Sequence, residues 1–179
     1  MDEVSTAVCE ALARSGFHAA ATADVMELKY RKLVLNLGNG VEVVTGQPGW
    51  AATGAVGEFV EHARQEAMRC FAAAGIASTS AEEYAERVTS HYRAAPVGGE
   101  ARSASSTLQS VLRGHQTTEV DYLNGEIELL GKLHGVPTPY NSAVRTVATR
   151  MAATHQAPGS VTIEELTAIA AGLRAYPTV

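Results

Sequence analysis

The chain has 179 residues, 46% of them hydrophobic and 6% aromatic, and a formal net charge of −5. That is enough apolar material for one domain with its own core. An acidic balance without a Lys/Arg-rich stripe argues against nucleic acid or an anionic membrane as the main partner, leaving a small metabolite or another protein. No apolar run nears the roughly 20 residues that span a bilayer, and Met1-Asp2-Glu3 lacks the positive start of a signal peptide, so a cytoplasmic chain is expected.

Val4, Val8, Ala11 and Leu12 recur at helical spacing over residues 2–15, and Gly16 stops that first helix. Phe17 to Ala21 reads as a short extended link. Thr22 or Asp24 can cap a second helix carrying Val25, Met26, Leu28, Leu33 and Leu37. Gly38, Gly40, Gly46, Pro48 and Gly49 then predict a turn-rich connection that holds the only tryptophan, Trp50. From Thr53 to Ala74 the positions Val56, Phe59, Val60, Ala63, Ala67 and Phe71 follow the helical period, closed by Gly75.

Ser80-Ala81-Glu82-Glu83 has the spacing of a capping box and opens a helix to about Ala94, ended by Pro96, Gly98 and Gly99. Residues 95–104 read as a flexible loop and Ser105 to Leu112 as a short helix terminated by Gly114. After a second loop to Thr117, one helix is predicted from Thr118 to His134, with Gly125 inside and Gly135 as its cap. Thr138 with Pro139 at the first helical position starts another, to about His155, and Ser160 or Thr162 caps a last one from Ile163 to Tyr176. The sum is an all-α domain of six or seven helices without a βαβ unit.

Lys32, Asn36 and Asn39 stand at i, i+4 and i+7 on the helix predicted around residues 24–38, so all three project from one face. An ammonium beside two carboxamides suits a carbonyl substrate, the amine giving a proton to the oxygen and the amides holding neighbouring polar groups. Taken alone, such a trio is more often a solvated helix face. Glu119 lies near a predicted helix start, where the macrodipole favours an ionised carboxylate. Ser106 and Ser110, four apart, face together.

The histidines His18, His62, His91, His115, His134 and His155 show no HxH or HExxH spacing, so no metal site is expected. Cys9 and Cys70 lie within helical patterns and read as reduced thiols. Gly38-Asn39-Gly40 follows a helix and lacks a third glycine, so the strand, GxGxxG, helix fingerprint of dinucleotide binding is absent.

Four dispersed stretches now carry a resemblance: Lys29-Tyr30-Arg31-Lys32-Leu33 with Asn36; Ser105-Ser106-Thr107-Leu108-Gln109; Thr118-Glu119-Val120-Asp121-Tyr122-Leu123-Asn124-Gly125; and His134-Gly135-Val136-Pro137-Thr138-Pro139-Tyr140-Asn141. In order and approximate spacing they resemble the C-terminal all-α domain of the ketopantoate reductases (2-dehydropantoate 2-reductases), across about residues 1–150. The resemblance implies the fold of the 6-phosphogluconate dehydrogenase C-terminal-like domains, with residues 1–21 as a remnant of the interdomain region and 22–179 as the domain. It implies a half of an NADPH-dependent 2-oxo acid reductase of pantothenate biosynthesis, with Lys32 as general acid and Glu119 as its partner at the substrate. Asn36, Asn39, Ser106 and Ser110 would be substrate contacts.

Three positions depart from the family pattern. Gly40 stands where a second asparagine is usual, with Asn39 one position early; Gln109-Ser110 replaces Gln-Asp; and the stretch from Ser110 to Glu119 is one residue longer than the commonest form. These loosen the assignment of ketopantoate itself as substrate. Without the dinucleotide fingerprint, NADPH is not expected to bind this chain alone, and a Rossmann-domain partner chain and a homodimer are the expected partners. The alternatives are a non-redox helical dimerisation or binding module, or a cofactor-independent enzyme pairing Lys32 as acid with Glu119 as base.

Overall fold

A computed structural model describes residues 2–49, 52–91, 104–114 and 118–174. Among these residues the chain is all-α, without strands: α1 (Glu3–Arg14), α2 (Val25–Asn36), α3 (Gly38–Thr45), α4 (Gly54–Ala74), α5 (Ala81–Arg87), α6 (Ser106–Leu112), α7 (Asn124–His134), α8 (Pro139–Ala153) and α9 (Ile163–Arg174). Two single 3-10 turns, Thr89–His91 and Glu119–Tyr122, complete the list.

The long α4 is the spine, because its apolar stripe is wide enough to serve two clusters. Val56, Phe59, Val60 and Ala63 in its first half pack with α3, α8 and α9. Ala67, Cys70 and Phe71 in its second half pack with Val34 and Leu37 and with Ile127 and Leu130 of α7. Each fully buried Val, Leu, Ile or Phe contributes about 1.5–3 kcal/mol, so these clusters supply the main stabilising term. Cys70 lies at 0% exposure with its thiol 3.7 Å from the Ile127 carbonyl, and burial pushes that thiol up to about 11. It is therefore an un-ionised core residue.

Five sequence expectations are corrected. The glycine-rich stretch after Leu37 is not a turn-rich connection but the helix α3, and only the residues after Thr45 turn. Burying Val41, Val43 and Val44, each at 0% exposure, outweighs the roughly 1 kcal/mol that each helical glycine costs. The glycines are there for close approach: a Cβ on Gly40 would lie 2.5 Å from Val144 Cγ1, and one on Gly49 would lie 2.3 Å from the Gly38 carbonyl oxygen. The α3 carbonyls of Val43 and Val44 are then satisfied by the amides of Gly159 and Val161.

The helix expected over Thr118 to His134 is divided at Leu123, whose φ of −105° and ψ of −86° leave the helical region. Tertiary demands override propensity here, since Val120 is fully buried against the Gly40 position and Asp121 is drawn to Arg145. Asp24 stands at the N-cap of α2 but makes no capping bond; its carboxylate pairs with Arg87 of α5 at 2.6 Å and also accepts from the Thr22 hydroxyl. Those hydrogen bonds, Arg87 first, hold the Asp24 carboxyl far below the usual range. At α5 only half of the capping box forms: Ser80 accepts from the Glu83 amide, while the Glu83 carboxylate pairs with Arg87. That helix ends at Arg87, short of the expected Ala94.

Other caps follow the sequence. Gly16, Gly75, Gly114 and Gly135 are all left-handed, and Pro139 opens α8. Thr162 and Glu165 satisfy each other's amides at the start of α9. Trp50, the 95–103 segment and the loop at 115–117 lie outside the described residues. No helix among the described residues is long and apolar enough to cross a membrane.

The glycine geometry yields a paired test. Gly40→Ala is expected to lower stability by about 1–3 kcal/mol through overpacking. Gly172→Ala in α9, where a Cβ meets nothing within 4 Å, is expected to raise it by about 0.4–1 kcal/mol. Thermal or denaturant unfolding of the two variants checks both signs.

Candidate active site

The joint between α2 and α3 carries two of the candidate amides, and a chain of buried polar groups holds it. Glu66 of α4 is 1% exposed. Its Oε1 accepts from the Tyr140 amide at 3.0 Å, and its Oε2 accepts from the Asn141 amide at 3.0 Å and from Asn141 Nδ2 at 2.8 Å. The carboxylate thus caps the start of α8, in place of the expected Thr138 side chain, which makes no capping bond. Asn141 Nδ2 also donates to the Ala63 carbonyl at 2.9 Å, and Asn141 Oδ1 accepts from Asn124 Nδ2 at 2.9 Å. Asn124 Nδ2 reaches on to the Leu37 carbonyl at 3.3 Å. Leu37 is the residue between α2 and α3, so the α4 core is wired to their joint.

Burial raises the Glu66 carboxyl above its ordinary range against the opposing pull of these donors. With the folded value raised, this group's contribution is full below the ordinary glutamate range and is lost as pH rises through the raised value.

On the opposite side of α3, Glu42 is 2% exposed and its Oε2 accepts from the Ser105 amide at 3.1 Å. That bond seats the N-terminus of α6 on α3. Ser105 in turn caps α6 by accepting from the Leu108 amide. Ser106, the first residue of α6, points its hydroxyl at Glu119 Oε2 across 3.4 Å, and the Thr107 hydroxyl lies 3.5 Å from the same oxygen. Both contacts are at the outer limit of hydrogen bonding, so the Glu119 carboxylate is approached and not clamped.

Glu119 sits on a single 3-10 turn, not at the head of a long helix as expected, so it does not face a long-helix macrodipole. Lys32 and Asn36 lie on α2, but Asn39 belongs to α3; the three do not share one continuous helix. Lys32 is exposed, and Asn36, Asn39 and Ser110 are half-buried. Among the described residues the Lys32 ammonium has no ion pair, and neither a hydrogen bond nor an ion pair joins it to Glu119. The structure therefore brings Ser106 and Glu119 together and, among the described residues, leaves Lys32 without an ion pair.

Glu42, Glu66 and Thr107 were not legible as site supports. The one signal in the sequence is an acid inside apolar helical stretches, between Val41 and Val43 and between Ala63 and Ala67. Asn124 and Asn141 fall in the family-like stretches, yet their role as bridges needs the three-dimensional packing.

The Gly38-Asn39-Gly40 stretch does not form a dinucleotide cradle. Gly38 and Gly40 are buried at the α2–α3 joint, with Gly40 beneath Val144, so their backbone is closed to a phosphate. Among the described residues there is also no group of three or more His, Cys, Asp or Glu side chains placed to hold a metal.

Comparison with known proteins fits this geometry. The profile of the family described as Ketopantoate reductase PanE/ApbA C terminal matches residues 24–152. The chain belongs to that family. No curated protein matches the sequence. A solved PanE/ApbA family ketopantoate reductase from Ralstonia eutropha JMP134 matches with a TM-score of 0.67 and 22% identity, over 87% of this chain and 50% of that one. A D-mandelate dehydrogenase solved with NADH matches with a TM-score of 0.65 and 23% identity, over 85% of this chain and 50% of that one. A ternary structure of D-mandelate dehydrogenase with NADH and anilino(oxo)acetate matches at 0.63 and 24%, over 83% and 47%. These likenesses establish the shared helical fold, and the chain spans about half the length of the solved structures.

The role of Glu66 can be measured directly. Glu66→Ala leaves three buried donors without an acceptor and is expected to cost at least about 3 kcal/mol. Glu66→Gln retains one acceptor oxygen and cannot ionise, so its stability deficit against wild type should shrink as pH rises from 4 to 7. Urea unfolding across that range reads the gap.

Proposed function

We propose that this chain is the substrate-binding and catalytic half of an NADPH-dependent 2-oxo acid reductase, working with a separate dinucleotide-binding domain. The observation that carries the reading is the approach of Ser106 to the Glu119 carboxylate at 3.4 Å; Lys32, on α2, is exposed and free of ion pairs among the described residues. In this reading the Lys32 ammonium donates the proton to the keto oxygen as it gains charge, and its open position lets substrate be its partner. Asn36 and Asn39 hold polar groups beside the carbonyl. Ser106 donates to the substrate carboxylate, and Ser110, one turn on, extends that surface. Glu119 accepts from a substrate hydroxyl and orients the lysine. The partner domain supplies the reducing dinucleotide, for which the buried Gly38-Asn39-Gly40 stretch offers no cradle.

Reconstitution tests this. Mixed with a family dinucleotide-binding domain, the chain should oxidise NADPH on addition of branched 2-oxo acids, and Lys32→Ala or Glu119→Gln should each lower kcat by about 10²-fold or more. Absence of turnover, or turnover indifferent to Lys32→Ala, would overturn the reading.

A second reading, a non-redox association module, is favoured by α1. Val4, Val8 and Leu12 form a stripe exposed at 71%, 51% and 40%, and no residue of that helix is buried. Such a stripe suits association with another protein surface. Light scattering at high micromolar concentration should show a homodimer; a strict monomer would count against an assembly role.

A further inference from the structure

Glu119 has little of its own to aim it. It stands on a four-residue 3-10 turn, an element with poor hydrogen-bond geometry, and among the described residues its side chain meets two hydroxyls, at 3.4 and 3.5 Å. The direction of the carboxylate is therefore set by whatever fixes the turn. One anchor is Val120, wholly buried in the core. The other is polar. Asp121 Oδ1 accepts from Arg145 Nε at 2.8 Å, and Arg145 Nη1 donates to Glu128 Oε2 at 3.2 Å.

Arg145 projects from α8 and Glu128 from α7, so the guanidinium ties the turn to two helices at once. Glu128 is itself fixed, with its other oxygen 2.5 Å from Lys132 Nζ. Burial would push the Glu128 carboxyl up, but the hydrogen bonds from Lys132 and Arg145 outweigh it and hold it low. Gly125 clears the path. A Cβ there would lie 3.2 Å from both Cδ and Nε of Arg145, so a side chain at this position would crowd the arginine where it crosses α7.

We propose that Arg145 is a positioning residue: braced on α7 through Glu128, its guanidinium fixes the 3-10 turn through Asp121 and thereby aims the Glu119 carboxylate at Ser106. This rests on Glu119 being a site residue, as argued under the proposed function. The requirement is for arginine, because its planar fork addresses two carboxylates from separate nitrogens, whereas an ammonium on a flexible stem has no such fixed geometry.

The test uses the full chain carrying ¹³C-labelled glutamate. Arg145→Met and Asp121→Asn should each shift the Glu119 carboxyl signal and raise the Kd for 2-oxoisovalerate at least tenfold. Arg145→Lys should recover part of both effects, and Arg150→Met, on the same helix but outside the brace, should change neither. Asp121→Asn removes only an exposed charge and keeps the test alive if the Arg145→Met protein does not fold. A Glu119 signal and a Kd unchanged in both Arg145→Met and Asp121→Asn would overturn the proposal. A wild-type chain that binds no 2-oxo acid would overturn the functional reading, and a Glu119 signal that still moves in Arg145→Met would then uphold the brace on its own.

Discussion

Glu66 is the constraint on which the remaining structure depends. A carboxylate at 1% exposure is costly to desolvate, and it is retained because three donors converge on it from the first turn of α8. Through Asn141 and Asn124 the same group reaches the Leu37 carbonyl, where α2 gives way to α3. One chain of hydrogen bonds thus orients α4, α7 and α8 against the joint that separates Lys32 and Asn36 from Asn39. Such a network specifies a unique arrangement only when its members are satisfied, and here the one buried orphan is Asn124 Oδ1.

The candidate site lies outside this core in layers of decreasing restraint. Glu42 seats the start of α6, the Arg145 fork holds the 3-10 turn, and Ser106 and Glu119 then meet at a long distance. Lys32 is left unpaired among the described residues. A site assembled this way is supported from beneath and open above. In the proposed function that openness is where substrate and a second domain would sit.

Much of this was legible in the residue pattern. The 3.6-residue period fixed α4, and the glycine caps at Gly75 and Gly135 and Pro139 at the start of α8 were each where the local signal put them, because each depends on short-range physics. Three features escaped for tertiary reasons. The glycines of α3 read as breakers, since nothing local shows that they lie under Val144 and against Gly49. The division at Leu123 was hidden by a helical pattern on both sides. The burial of Glu42 and Glu66 has no local signal, because the donors that justify it come from residues 63 and 74 positions away. The separation of Lys32 and Asn36 from Asn39 follows from the first of these.

The claim that the buried polar chain holds the α2–α3 joint is tested most directly by hydrogen exchange in Asn124→Ala. That substitution removes the link to the Leu37 carbonyl while leaving Glu66 and its three donors in place. The account predicts at least tenfold faster exchange of the amides at residues 38–41, with those of α9 unchanged. Equal protection at 38–41 in the variant and the wild type would contradict it.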